Sequence, residues 1–207
     1  MPALTRTLIK KPPEPAPRRS DSQQIVAAVV AAAIELGPDA SLAMIAERAG
    51  VGVASLHRYF PTTAALFAEV SREMYRTLVR QVRAITGRAD LPVAEATAEI
   101  CRVVITEPRL SVAHRRRLSF DVPLEWSRDV AEEAYREILG EVVAYLSQRM
   151  AVPPPDLADR VYVAFAAVRG AVLVSLLFPD LGPPEDRLIA QVSRSVIQTL
   201  GIGDGAT

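Results

Sequence analysis

Apolar residues recur every three to four positions along nearly the whole chain, and strict apolar–polar alternation is missing, so the pattern predicts helices throughout and no sheet. The first run is Ile25, Val29, Ala32 and Leu36. Ser20 with Gln23, or Asp21 with Gln24, offers it a capping box, and Gly37-Pro38 ends it. Ser41 caps a second helix, LAMIAERA, which Gly50 stops. A short third helix spans Val53 to Tyr59. Thr62 then caps a long helix that buries Leu66, Phe67, Val70, Met74, Leu78 and Val82 and runs to about Gly87. Further helices are predicted over 91–106 with Asp90 as cap, in a short segment after Pro108, from Pro123 to Met150, over Asp156–Phe178 and over Glu185–Leu200. The breaks fall at the prolines of 153–155, at LGPPED and at Gly201. The fold class is therefore all-α with about nine helices. No fixed-period repeat is present.

The second and third helices are joined by Gly50-Val51-Gly52, the length and glycine placement of a helix-turn-helix. Two steeply crossing helices need a small residue at the crossing, and Ala46 supplies it. The sharp turn needs a residue that tolerates positive φ, and Gly50 supplies that. Ile45, Ala49, Val51, Leu56 and Phe60 are placed to close a small core beneath. The stretch AGVGVASLHRYF at 49–60 also carries an exposed-looking His57 and Arg58. No carboxylate, serine–base pair or second histidine lies within two turns of them, which argues against catalysis.

Charge sharpens the division. The formal net charge is zero, but residues 1–86 balance at +4 and residues 87–207 at −4, so a polyanion would meet the N-terminal part. Residues 1–19, with five prolines and five basic residues, read as a flexible basic arm able to add phosphate contacts. One cysteine, Cys101, excludes an intrachain disulfide and a zinc-ligand set, and no cofactor or metal is expected. The N-terminal stretch has no apolar run long enough for a signal peptide, and AVLVSLLF at 171–178 is too short to span a bilayer, which together predict a cytoplasmic protein with no membrane partner.

Residues 22–85 resemble the DNA-binding domain of the TetR family of transcriptional regulators, through IVAAVVAAAIELG and then SLAMIAERAGVGVASLHRYFPTTAALFAEV. The resemblance implies three parts: the arm at 1–19, a helix-turn-helix domain at 20–66, and an effector-binding and dimerisation domain at 67–207. It implies that Val53–Tyr59 enters the major groove of operator DNA, with Val53, Ala54, Ser55 and Arg58 at base edges or flanking phosphates. His57 occupies a position that is usually a phosphate-touching Tyr, and Tyr59 follows on the same surface. Ser41 and Thr62 sit at helix N-termini that favour phosphate. The family often has Lys at Thr63 and an acid at Ala64, and both are missing here.

The same resemblance implies an apolar effector cavity in the second domain, for which Tyr75, Cys101, Trp126, Tyr135, Phe165 and Arg169 are the candidates. It implies a homodimer through helices 156–178 and 185–200, with Ala164, Ala167, Gly170 and Ala171 allowing close approach. The function expected is a ligand-responsive DNA-binding regulator, a repressor released by a small apolar effector, and not an enzyme. A small helical enzyme using the cavity and a dimeric protein-binding adaptor are the rivals. The acidic set Glu132, Glu133, Glu137 and Glu141, which an enzyme would need, reads as a solvated helix face. His114-Arg115-Arg116-Arg117 reads as another solvated face, or alternatively as a hinge against the DNA-binding domain.

Overall fold

The computed structural model describes residues 20–107 and 109–202. The expected basic arm lies outside them. Among the described residues nine α-helices are formed: α1 (Ser20–Leu36), α2 (Leu42–Ala49), α3 (Val53–Tyr59), α4 (Thr63–Thr86), α5 (Val93–Thr106), α6 (Val112–Phe120), α7 (Arg128–Arg149), α8 (Leu157–Leu177) and α9 (Glu185–Leu200). No strand occurs among the described residues.

The local signals act as their chemistry requires. Ser41 Oγ accepts the Met44 N–H at 3.2 Å and Thr62 Oγ1 accepts the Ala65 N–H at 3.1 Å, each satisfying a donor that a helix start leaves orphaned. Gly50 sits at φ +68°, and the Val51 N–H reaches back to the Ala46 carbonyl at 3.0 Å, closing α2 in a left-handed cap.

Four expectations need correction. α1 already runs through Ser20 and Asp21, so neither is its cap. Its buried face is wider than expected: Val29 and Ala32 are buried as expected, Val26, Val30 and Ala33 are buried too, Ile25 is half-buried and Leu36 is exposed; in an alanine-rich helix every side is apolar enough to bury, and packing against α2 and α4 selects the face. α5 starts after Pro92, because Asp90 and Leu91 form a turn in which the Leu91 N–H bonds the Arg88 carbonyl. The helix expected from Pro123 is split: Leu124–Trp126 is one 3₁₀ turn, and α7 starts only at Arg128.

Two clusters of buried side chains form. The first combines α1–α3 with the start of α4 (Leu66, Phe67, Val70) and with Leu110, Leu118, Val122 and Trp126. The second combines the rest of α4 (Leu78, Val82, Ile85) with α5, α7, α8 and α9, and Met74 packs against both. α6 seats the two halves on each other. His114 is buried and its Nε2–H donates to the Ala33 carbonyl at 3.2 Å, while Arg117 donates to the Pro38 carbonyl and stacks over the Phe67 ring. Within the HRRR run His114 and Arg117 thus form a joint against the helix-turn-helix, Arg115 turns to Ile105 and Glu185, and Arg116 alone stays exposed.

Other guanidinium groups also close on backbone oxygens. Arg72 donates to Trp126 O at 2.6 Å, Arg115 to Ile105 O at 2.5 Å, and Arg149 to Ala89 O and Leu91 O at 2.7 and 2.8 Å. Part of the acidic face of α7 is also engaged, since Glu137 pairs with Arg83 and Glu141 accepts from Thr86.

α8 has two apolar sides. Leu157, Val161, Ala164, Val168, Val172 and Leu176 face the core, whereas Tyr162, Val163, Leu173, Val174 and Leu177 are exposed. The expectation for 171–178 alone understated this helix: all of Leu157–Leu177 is long and apolar enough to cross a membrane by length and composition.

A Cβ at position 50 would meet nothing within 4 Å, so only the left-handed backbone opposes substitution. Gly50→Ala is expected to cost about 1–2 kcal/mol without loss of fold, measured as a shift of the urea midpoint at unchanged slope.

Candidate nucleic-acid interface and apolar cavity

The helix-turn-helix geometry rests on its small core. Ile45, Ala46 and Leu56 are fully buried and Phe60 nearly so, while Ala49 and Val51 are half-buried. This fixes what α3 turns outward. Val53, Ala54, His57 and Arg58 are exposed, Ser55 and Tyr59 half-buried. Tyr59 Oη donates to Ser22 Oγ at 3.2 Å, tying α3 to α1. Arg58 folds back over the Tyr59 ring, with its carbon 5.0 Å from the ring centre, and donates to Tyr59 Oη at 3.1 Å. Among the described residues its charge pairs with no carboxylate. Arg48, in contrast, is held by Glu35 at 2.6 Å. Arg58 is also the only Arg or Lys between residues 49 and 71.

Ser41 and Thr62 are exposed N-caps, and Thr63 is the first residue of α4. The unbonded N–H groups at these helix starts face outward with the positive end of each dipole. All nine candidate DNA-facing residues therefore lie in α3 or at the starts of α2 and α4. Met44, an exposed large apolar residue beside the Ser41 cap, was not among them. Its position opposite the buried Ile45 face was the available signal.

The second cluster encloses a small cavity of about 50 Å³ between α5, α7, α8 and α9. Cys101 and Phe165 line it; Ile138, Tyr145, Ala164 and Val196 are among its other walls. Ala164 therefore points into the chain's own core, unlike Ala167 and Gly170, which face outward. Tyr75, Tyr135 and Arg169 lie next to this cavity, not in its wall. Phe165 meets Tyr135 edge-on at 5.0 Å, Tyr135 meets Tyr75 at 5.6 Å, and the Arg169 guanidinium lies 5.7 Å from the Tyr135 ring centre. Burial, with Tyr135 beside it, pushes the Tyr75 phenol up. Arg169 thus meets an aromatic ring and, among the described residues, no carboxylate within ion-pair distance. Trp126 is elsewhere, buried in the first cluster under α1 and α4, because the 3₁₀ turn carries it away from α7. Tyr145 was passed over as a site residue, although its spacing from Ile138 and Val142 places it on the same inward face.

A wider hollow of about 550 Å³ lies between α1 and α4, but its wall carries Glu69, Glu73 and Arg76, which pair with one another. Among the described residues no three of His, Cys, Asp and Glu converge as a metal site.

Residues 25–70 match the family described as "Bacterial regulatory proteins, tetR family". Among solved structures, a TetR transcriptional regulator from Rhodococcus sp. RHA1 aligns with a TM-score of 0.59 at 19% identity, over 87% of this chain and 98% of that one. A TetR-family regulator from Mesorhizobium loti aligns with 0.63 at 17%, over 87% and 95%. The fatty acid degradation regulator FadR from Bacillus halodurans aligns with 0.57 at 16%, over 84% and 97%. No curated protein matches the sequence.

Burial pushes the Cys101 thiol up from 9.0 to about 11, against a smaller opposing pull from Ser193. The folded state therefore prefers the neutral thiol, and the stability this gives is full below pH 9 and lost as pH rises towards 11. Replacing Cys101 with Ala is expected to flatten the alkaline fall in melting temperature over that window, read by calorimetry.

Proposed function

Because the chain belongs to the TetR family of bacterial regulatory proteins, which are DNA-binding transcriptional regulators and not enzymes, we infer that it acts as a homodimeric repressor. A small apolar effector taken into the α5–α7–α8–α9 cavity releases it from its operator. The observation that carries the DNA side of this reading is the exposed face of α3, where Arg58, paired with no carboxylate among the described residues, stands beside exposed His57, Val53 and Ala54. Arg58 supplies a guanine or phosphate contact, Val53 and Ala54 offer only apolar contact to a thymine methyl, and the N-termini of α2 and α4 hold phosphates. Residues 20–66 carry only Arg48 and Arg58 as basic residues, and Arg48 is paired. The arm at 1–19 therefore adds the phosphate contacts this surface lacks.

Dimerisation has its own support. One seven-residue helix reads too few bases for useful specificity, and two copies read half-sites about 34–36 Å apart or a multiple of it. The outer stripe of α8 (Tyr162, Val163, Leu173, Val174, Leu177) is apolar and uncovered, with Ala167 and Gly170 between, and a second copy of α8 and α9 covers it in a four-helix bundle. Enclosed in that bundle, the helix stays out of a membrane, and the protein is cytoplasmic.

Release follows from a shift in population. The empty cavity is far smaller than an ordinary ligand site, so an effector favours conformers in which α5, α7 and α8 have moved apart. α4 packs against α5 and α7 and runs to the helix-turn-helix, and α6 meets both α8 and the α1–α2 turn. Both carry the movement to the spacing of the two α3 helices.

Arg58→Ala is expected to weaken binding to the protein's own upstream DNA by roughly 10- to 100-fold in a mobility-shift assay, without altering the melting temperature. No salt-sensitive, sequence-specific shift by the unmodified chain would sink the reading. Val174→Glu places a charge on the exposed stripe; it is expected to give monomers by sedimentation velocity and to abolish operator binding, with the helix content intact.

A further inference from the structure

The wall of the apolar cavity contains no Asp, Glu, Lys, Arg or His. Its polar side chains are Thr97, Cys101 and Tyr145. Thr97 Oγ1 already donates to the Val93 carbonyl at 2.8 Å. Cys101 is a buried neutral thiol. Tyr145 differs from both. It is 93% buried, the Arg149 guanidinium covers its ring at 5.8 Å, and its hydroxyl has no hydrogen-bond partner. No acceptor of the surrounding helices lies within hydrogen-bond distance of this phenol.

We infer that the molecule received by this cavity is uncharged, largely hydrocarbon, and carries one oxygen acceptor that the Tyr145 hydroxyl holds. This rests on the reading of the cavity as the effector site and adds the class of effector to it. A charged group entering here loses its water and meets no counter-charge in the wall, and the neighbouring Arg169 guanidinium is turned to the Tyr135 ring, so carboxylates and amines are disfavoured. A pure hydrocarbon fills the space but leaves the phenol as unpaired as it is in the empty protein. A ketone, ester or alcohol oxygen pairs it, so the hydrogen bond is gained without breaking another within the chain. The cavity runs along α7 from Ile138 to Leu146, eight residues or about 12 Å, and Tyr145 stands at one end. The acceptor therefore belongs at one end of the molecule, with the hydrocarbon body extending towards Ile138 and Val168.

The test uses the full chain and its Tyr145→Phe variant, with cyclohexanone, methylenecyclohexane and cyclohexanecarboxylate as probes, titrated by calorimetry. The expected result is that Tyr145→Phe weakens cyclohexanone binding roughly tenfold, leaves methylenecyclohexane unchanged, and that the carboxylate binds neither protein. Unliganded Tyr145→Phe is expected to melt at the same or a higher temperature, because the lost hydroxyl had no partner. A lower melting temperature would mean that the hydroxyl serves the fold, and would overturn the inference. Equal loss for ketone and hydrocarbon, no loss for the ketone, or preferred binding of the carboxylate would also overturn it, and would leave the cavity reading standing. Binding of none of the three by either protein would remove the effector reading along with it.

Discussion

One helix is buried in two cores. α4 gives Leu66, Phe67 and Val70 to the cluster beneath the helix-turn-helix and Leu78, Val82 and Ile85 to the cluster around the cavity, with Met74 touching both. Its 24 residues contain no glycine or proline, and its wet side is laced by Glu69, Arg72, Glu73, Arg76 and Arg80 in ion pairs. Such pairs add little energy singly. The two buried ends are what matter, because neither core can close without the same straight rod. Any change that shifts the rod in one core must be answered in the other.

α6 makes this coupling two-sided. Through His114 and Arg117 it holds the turn between α1 and α2, and it also meets α8. The helix-turn-helix therefore stands on two supports that both reach towards the cavity. α3 in turn is not a free finger. Leu56 locks it from below and Tyr59 fastens it to Ser22, so its orientation follows α1 and α4. The outward stripe of α8 and the outward face of α3 are both left uncovered within the described residues. The first is apolar and the second polar with one cation, which fits a second copy on one and a polyanion on the other.

What was legible in the sequence was what short-range chemistry decides. Ser41, Gly50 and Thr62 act through bonds to residues within four or five positions, and each stands in the predicted role. The heptad-like burial of α4 was legible because its polar face is strongly charged. The buried face of α1 was legible only in part, at Val29 and Ala32 and not at Leu36, since alanine on every side leaves periodicity little contrast to report. Pro92 and Pro123 misplaced two helix starts because proline permits a first turn without requiring one. The cavity was half legible. Cys101 and Phe165 were found, but Trp126 was assigned to the wrong core and Tyr145 overlooked, because which of several buried aromatics share a space depends on how α7 is phased after the 3₁₀ turn.

The arginine joints have a consequence for which positions of this chain can change. Arg72, Arg115, Arg117 and Arg149 each grip a main-chain oxygen, and the first three pair with Glu69, Glu185 and Asp39 besides. A bond between two side chains can be lost by a substitution at either end. Here one end is an atom that every residue type carries, so Pro38, Leu91, Ile105 and Trp126 are free to vary without deleting the acceptor. The whole genetic vulnerability of each joint rests on its arginine, and lysine, lacking the planar fork, is no substitute where two oxygens are held at once, as they are by Arg149. These four arginines are therefore mortar between the chain's parts, fixed in place by geometry.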